Sequence, residues 1–235
     1  MYGNKKINTE LDLFVQGVSA LCYDGIFIYF NGFRKKKLGK HYFKPMLKGW
    51  NIHHKSDLDE RCRWFVEEGA RKNFNELRGL LRMESDETRK LLIEKMPPGD
   101  DRLPMIKMID DQLYAIPGEG ILALDYVRYI FLTECGRGAE YIEDEVAIER
   151  FIFGIRKLQQ AYGSWEEMIT AYAFGKQTET VHATPDFVST NMKYVKRLLT
   201  SPHSPMNKVD WNMKLPEAYF GQYDIERGPQ SSDDN

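Results

Sequence analysis

Between Gly120 and Glu134 the sequence reads Gly-Ile-Leu-Ala-Leu-Asp-Tyr-Val-Arg-Tyr-Ile-Phe-Leu-Thr-Glu. A helix made of these residues is apolar on almost every side. It has no face to offer to water and must be enclosed by other elements. The stretch therefore predicts a central, buried helix, interrupted by Asp125 and Arg128 and ended by Gly136 and Gly138. A chain built around such a helix needs several others to cover it.

Those other helices are legible at both ends of the sequence. Asn8 to Leu21 sets Leu11, Phe14, Val15, Val18 and Leu21 on one face. From Ser56, with Asp59 as its cap partner, one long helix is expected to carry Cys62, Phe65, Val66, Ala70, Phe74, Leu77, Leu80 and Leu81 inward. A weaker pattern follows from Ser85 to Met96, and Glu143 to Tyr162 is amphipathic. Gly163 breaks that helix. Ser164, with Glu167 three residues on, reads as a capping box for the next one, and Gly175 reads as its stop. Thr184-Pro185 opens a last helix through Leu199, closed by Ser201-Pro-His-Ser-Pro205. Residues 97–120, with Pro97, Pro98, Pro104 and Pro117, read as an irregular excursion. Ile26 to Phe30 is either a short strand or the buried continuation of a bend.

The fold class expected is all-α: a single globular domain of roughly seven helices with short connections, and a possible short strand near the N-terminus. We divide the chain into residues 1–48, an N-terminal helix plus a basic aromatic segment; 49–215, the helical body; and 216–235, a polar flexible tail. The length of 235 residues is ample for a core, and 13% aromatic content argues against disorder.

Charge and cysteine usage narrow the function classes. A net charge of −2 gives no global attraction to nucleic acid or anionic membranes. Cys22, Cys62 and Cys135 are few, odd in number and far apart, so neither a disulfide framework nor a zinc set follows. The run around Lys5 and Lys6 is too polar for a signal core, and Gly25 to Phe30 is too short to span a bilayer. A cytoplasmic protein without membrane insertion is expected.

The candidate sites each carry two readings. Asp125 and Arg128 stand three apart on neighbouring positions of one helix face. They form either a structural ion pair or the floor of a cleft in which Arg128 holds an anion. Glu140, Glu143, Asp144, Glu145 and Glu149 gather at a helix start, where the helix dipole favours them. As an enzyme, the chain would use Asp125, Arg128 and Glu145 converging in one pocket. His53-His54 lacks the spacing of a helical metal site. Arg34, Lys35, Lys36, Lys37 and Lys40 open a basic run continuing through Lys44 and Lys48, interleaved with Phe33, His41, Tyr42 and Phe43. That run suits an acidic protein patch or, less well given the net charge, a nucleic-acid strand; the bland reading is a solvated loop with aromatic anchors. No metal and no cofactor are expected.

Several motifs resemble a bacterial family, the domain of unknown function 1266, which includes enterobacterial YbeU/YbeR-like proteins of similar length. Gly49-Trp-Asn-Ile52, Ser56 and Glu67-Glu-Gly-Ala-Arg-Lys-Asn-Phe-Asn-Glu-Leu77 resemble its first half. Ala123-Leu-Asp-Tyr-Val-Arg128, Tyr141-Ile-Glu-Asp-Glu145, and Gln159 to Glu167 with Tyr172 and Gly175 resemble its second half. Leu198-Leu-Thr-Ser-Pro, Ser204-Pro and Trp211 resemble its closing segment. The resemblance spans Gly49 to Trp211, with a divergent stretch around Glu84 to Gly118, and places Leu124 where the family pattern has a tryptophan. It marks Asp125, Arg128, Tyr141, Glu145, Tyr162, Trp165 and Gly175 as motif positions and implies no activity. The expectation is a non-enzymatic protein-interaction module, adaptor or immunity-type, whose partner is another protein.

Overall fold

The computed structural model describes residues 9–25, 27–28, 40–116, 118–178 and 186–216, with backbone alone over 186–190. In chain order the helices are α1 (Thr9–Ala20), α2 (Lys40–Gly49), α3 (Lys55–Glu67), α4 (Arg71–Arg82), α5 (Asp86–Lys95), α6 (Leu103–Asp111), α7 (Leu122–Gly138), α8 (Asp144–Ala161), α9 (Trp165–Thr178) and α10 (Asp186–Thr200). A 3₁₀ turn, Pro205–Asn207, follows. No strand occurs among the described residues, and the chain is a single all-α domain. Phe27 and Ile28 continue a helical turn, with their N–H groups on the carbonyls of Asp24 and Gly25, so they do not form the alternative strand.

The apolar helix is the centre. Every residue of α7 from Ala123 through Gly136 is buried. The helices α1, α2, α3, α8 and α9 all pack against it. Gly136 lies inside α7, whereas Gly138 is its last residue, and the left-handed turn that follows falls on Glu140 at φ +59°. A Cβ on Gly136 would stand 2.3 Å from a Leu58 methyl, and one on Gly138 would stand 2.1 Å from the Phe43 ring. Both glycines are places where α3 and α2 press onto the helix. Gly175 is no stop: α9 runs on to Thr178, and a Cβ there would lie 2.7 Å from Leu124 Cβ. Leu124 is thus the residue that Gly175 lets α9 approach.

Other expectations are corrected in the first half. The long helix from Ser56 is two helices, because Gly69 takes φ +62° and turns the chain between α3 and α4. Its start is capped by Asp57, whose carboxylate accepts from the N–H groups of His53 and His54 at 2.8 and 3.0 Å. Asp59 serves elsewhere. The basic run contains α2, with Phe43 and Leu47 buried one turn apart. The proline-rich excursion contains α6, since Pro104 lies in its first turn, where a missing N–H costs nothing. The box before α9 is as read: Glu167 N–H donates to Ser164 Oγ at 3.1 Å, and the Glu167 carboxylate accepts from Gly163 N–H at 2.8 Å.

Candidate functional site

Asp125 is the fully buried acid on which the site question turns. It sits in the first turn of α7 and faces the joint between α3 and α4. Its Oδ1 accepts from Ala70 N–H at 2.8 Å. Its Oδ2 accepts from Arg71 N–H at 3.2 Å and from the Arg71 guanidinium at 2.9 Å. The carboxylate therefore caps the start of α4 from another helix, where the helix dipole also favours negative charge. Arg71 in turn donates to the carbonyls of Phe65 and Val66, both at 2.5 Å, at the end of α3. One guanidinium thus closes the last turn of α3 while balancing Asp125, and it lies 5.6 Å from the Tyr126 ring centroid. Burial pushes the Asp125 carboxyl above its ordinary range, against the pull of the Ala70 and Arg71 donors.

The partner of Asp125 is thus Arg71, not Arg128. Arg128, also buried, holds its guanidinium 5.3 Å from the Trp50 ring centroid. Glu145 is exposed in the first turn of α8. Because α7 and α8 are joined by a short turn and pack together, that turn lies beside the far end of α7, roughly 20 Å from Asp125 at the helical rise per residue. Asp125 and Glu145 do not converge, so the three-residue cleft is not formed.

Gly69 is the residue that the sequence reading missed. A Cβ there would stand 2.1 Å from Asp125 Oδ2 and 2.5 Å from an Arg71 nitrogen, at a φ that L-residues avoid. The signal was present as a glycine inside an otherwise helical pattern. Gly69→Ala is expected to destabilise the fold by about 2–4 kcal/mol, the sum of backbone strain and displacement of a clamped pair. Urea unfolding measures it; a loss under about 0.5 kcal/mol would contradict the clamp.

The remaining motif residues hold the frame around α7. The Tyr162 hydroxyl accepts from Ala123 N–H at 2.9 Å and donates to the Gly120 carbonyl at 3.4 Å, pinning the helix entrance. Trp211 donates to the Tyr162 carbonyl at 2.9 Å. Trp165 sits between Phe14, tilted at 4.3 Å, and Trp211, edge-on at 5.0 Å, between ring centroids. Tyr141 donates to the His53 carbonyl at 2.8 Å. Lys40 pairs with Glu140, whereas Arg34, Lys35, Lys36 and Lys37 lie outside the described residues.

A second polar cluster joins α3 to α8. Asp59 accepts from Lys55 and Arg150, both at 2.5 Å. Burial pushes its carboxyl up, but those two cations outweigh burial and hold it below its ordinary value of 3.8. The folded carboxyl is thus the stronger acid. Its stabilisation is complete above the unfolded value and disappears as pH falls through the folded one. Asp59→Asn should flatten the loss of stability on acidification below about pH 4; an unchanged slope of unfolding free energy against pH would refute this. Burial pushes the neighbouring Cys62 thiol up to about 11 and the Cys22 thiol up to about 12, leaving neither thiol ionised near neutrality. Among the described residues, no group of His, Cys, Asp and Glu side chains is arranged to hold a metal ion.

The fold and this frame define an all-α protein whose buried charges are engaged in joining helices. A family described as "Protein of unknown function (DUF1266)" matches residues 46–211, and the chain belongs to that family. No curated protein and no solved structure matches the chain. No described helix is long and apolar enough to cross a membrane.

Proposed function

We propose that the protein is a non-enzymatic interaction module, of adaptor or immunity type, that engages another polypeptide through the α4–α6 lobe. The carrying observation is where the apolar surface lies. Of the eight large apolar side chains left exposed among the described residues, Leu80, Met83, Leu91, Leu92 and Tyr114 all belong to this lobe. Clustered exposed apolar residues mark sites that another surface covers. The lobe is itself held by polar contacts. Arg78 donates to the carbonyls of Ile116 and Gly118, and Arg89 to Asp110, Asp86 and the Glu84 carbonyl. Leu80, Leu91 and Leu92 lie outside the buried core, whereas Leu81 and Leu113 of the same lobe are part of it. The absence of an Asp125–Arg128–Glu145 cleft favours this reading over the enzyme alternative.

The test compares tagged wild type with the Leu91→Glu/Leu92→Glu variant, each captured from the native host at moderate salt. A stoichiometric polypeptide held by the wild type and lost by the variant is expected. A wild type that is a monomer and retains nothing would overturn the proposal.

A further inference from the structure

Positive charge is gathered on α2 with little to balance it. Residues 34–48 hold seven of the chain's 33 lysines and arginines and none of its 35 acids, so the rest of the chain is net acidic. The last three of the seven lie on α2. Phe43 and Leu47 mark the buried side of that helix. At the helical turn per residue, Lys44, Lys48 and His41 fall within an arc of about 60°, and all three are exposed. Lys40, at the edge of the arc, is paired with Glu140. Among the described residues no acid pairs with Lys44 or Lys48. Lys48 gains from its place in the last turn, but two like charges at this spacing cost a helix stability. The fold gives no reason for Lys44.

We infer that the exposed face of α2 binds a short acidic polypeptide segment, which sets two carboxylates against Lys44 and Lys48. Charge complementarity calls for an anion, and the length of the basic strip decides which kind. Lys44 and Lys48 stand one turn apart, about 6 Å along the axis. Beyond Lys40 the surface turns acidic, with Glu140, Glu143, Asp144 and Glu145 all exposed. A nucleic-acid strand or an anionic bilayer carries its charge past the strip and onto those acids. A segment with two acids one turn apart meets the lysines and stops short of them. This face is separate from the α4–α6 lobe. It lies where Phe43 presses on Gly138, at the last turn of α7, whereas α4 begins at Asp125, in the first turn, roughly 20 Å away at the helical rise. The two surfaces can therefore be occupied at once.

Fluorescence anisotropy of a labelled oligoglutamate peptide, titrated with the purified full chain, tests the inference. A Kd on the order of 100 μM is expected in about 50 mM salt, with binding fading as salt rises toward about 0.3 M. Lys44→Glu/Lys48→Glu should weaken binding by about five- to thirtyfold and leave the Tm unchanged, since both side chains are exposed. Lys44→Arg/Lys48→Arg should keep it. Leu91→Glu/Leu92→Glu should bind the peptide as the wild type does, so failure of the α4–α6 lobe as a docking surface would leave this result standing. No binding at about 500 μM protein, or binding indifferent to the charge reversal at Lys44 and Lys48, would overturn the inference. So would an oligothymidylate of equal charge held more tightly than the peptide at the same salt.

Discussion

Replacing Asp125 with alanine is expected to lower the unfolding free energy by about 3–5 kcal/mol, because it leaves the Arg71 cation without its counter-charge at a largely buried site. Three donors lose their acceptor at once: Ala70 N–H, Arg71 N–H and the Arg71 guanidinium. Urea unfolding with unchanged m-value reports the loss. Arg71→Met is expected to cost less, since Asp125 then keeps its two backbone donors. In the double variant Asp125→Ala/Arg71→Met the losses should fall well short of additive, because either single change already abolishes the pair. Additive losses would mean that the two side chains act independently, which the shared 2.9 Å contact denies.

Phe14→Ala should cost about 3–5 kcal/mol, the usual range for deleting a fully buried aromatic ring. Phe14 has no exposed surface and lies 4.3 Å from Trp165 and 5.5 Å from Trp211 between ring centroids. These three rings join α1, the start of α9 and the segment after the 3₁₀ turn, so the loss spreads across residues far apart in sequence. Gly17, one turn further along α1, already admits Met206 to 3.1 Å of its Cβ position, leaving little slack for collapse around the hole. Thermal unfolding and the fluorescence of Trp165 and Trp211 would both register the change. A variant within 1 kcal/mol of wild type, with unchanged emission, would show that this junction is not a packed part of the core.

Periodicity revealed the helices that are apolar on one face or all round, and so the central place of α7 was legible. It did not reveal what breaks a helix when the pattern continues across the break. Val66, Ala70, Phe74 and Leu77 keep helical spacing through Gly69, so the turn there is visible only as a residue type, and its cause lies on another helix, at Asp125. The same limit explains the mispairing of Asp125 with Arg128. Three-residue spacing makes them neighbours along α7, but Arg71 arrives with two backbone N–H groups in support and Arg128 turns to Trp50. Glycine often ends helices, and Gly138 does end α7, but Gly136 and Gly175 lie inside theirs. Here each is the absence of a side chain at a close crossing, which one chain read without its partners cannot distinguish. The helical pattern of α5 is weak for the converse reason: Leu91 and Leu92 are half-exposed, and Arg89 is its one buried residue.

The enclosure of α7 also sets an order of events during synthesis. The helices α1, α2 and α3 all rest on α7, yet they leave the ribosome before residue 122 is made. Until then Phe14, Phe43, Leu47, Leu58 and Phe65, all buried in the finished domain, have lost the surface that covers them. The first half of the nascent chain is therefore held open, and collapse waits on a helix encoded past its midpoint. A ribosome that pauses before α7 would leave these apolar side chains uncovered for the length of the pause.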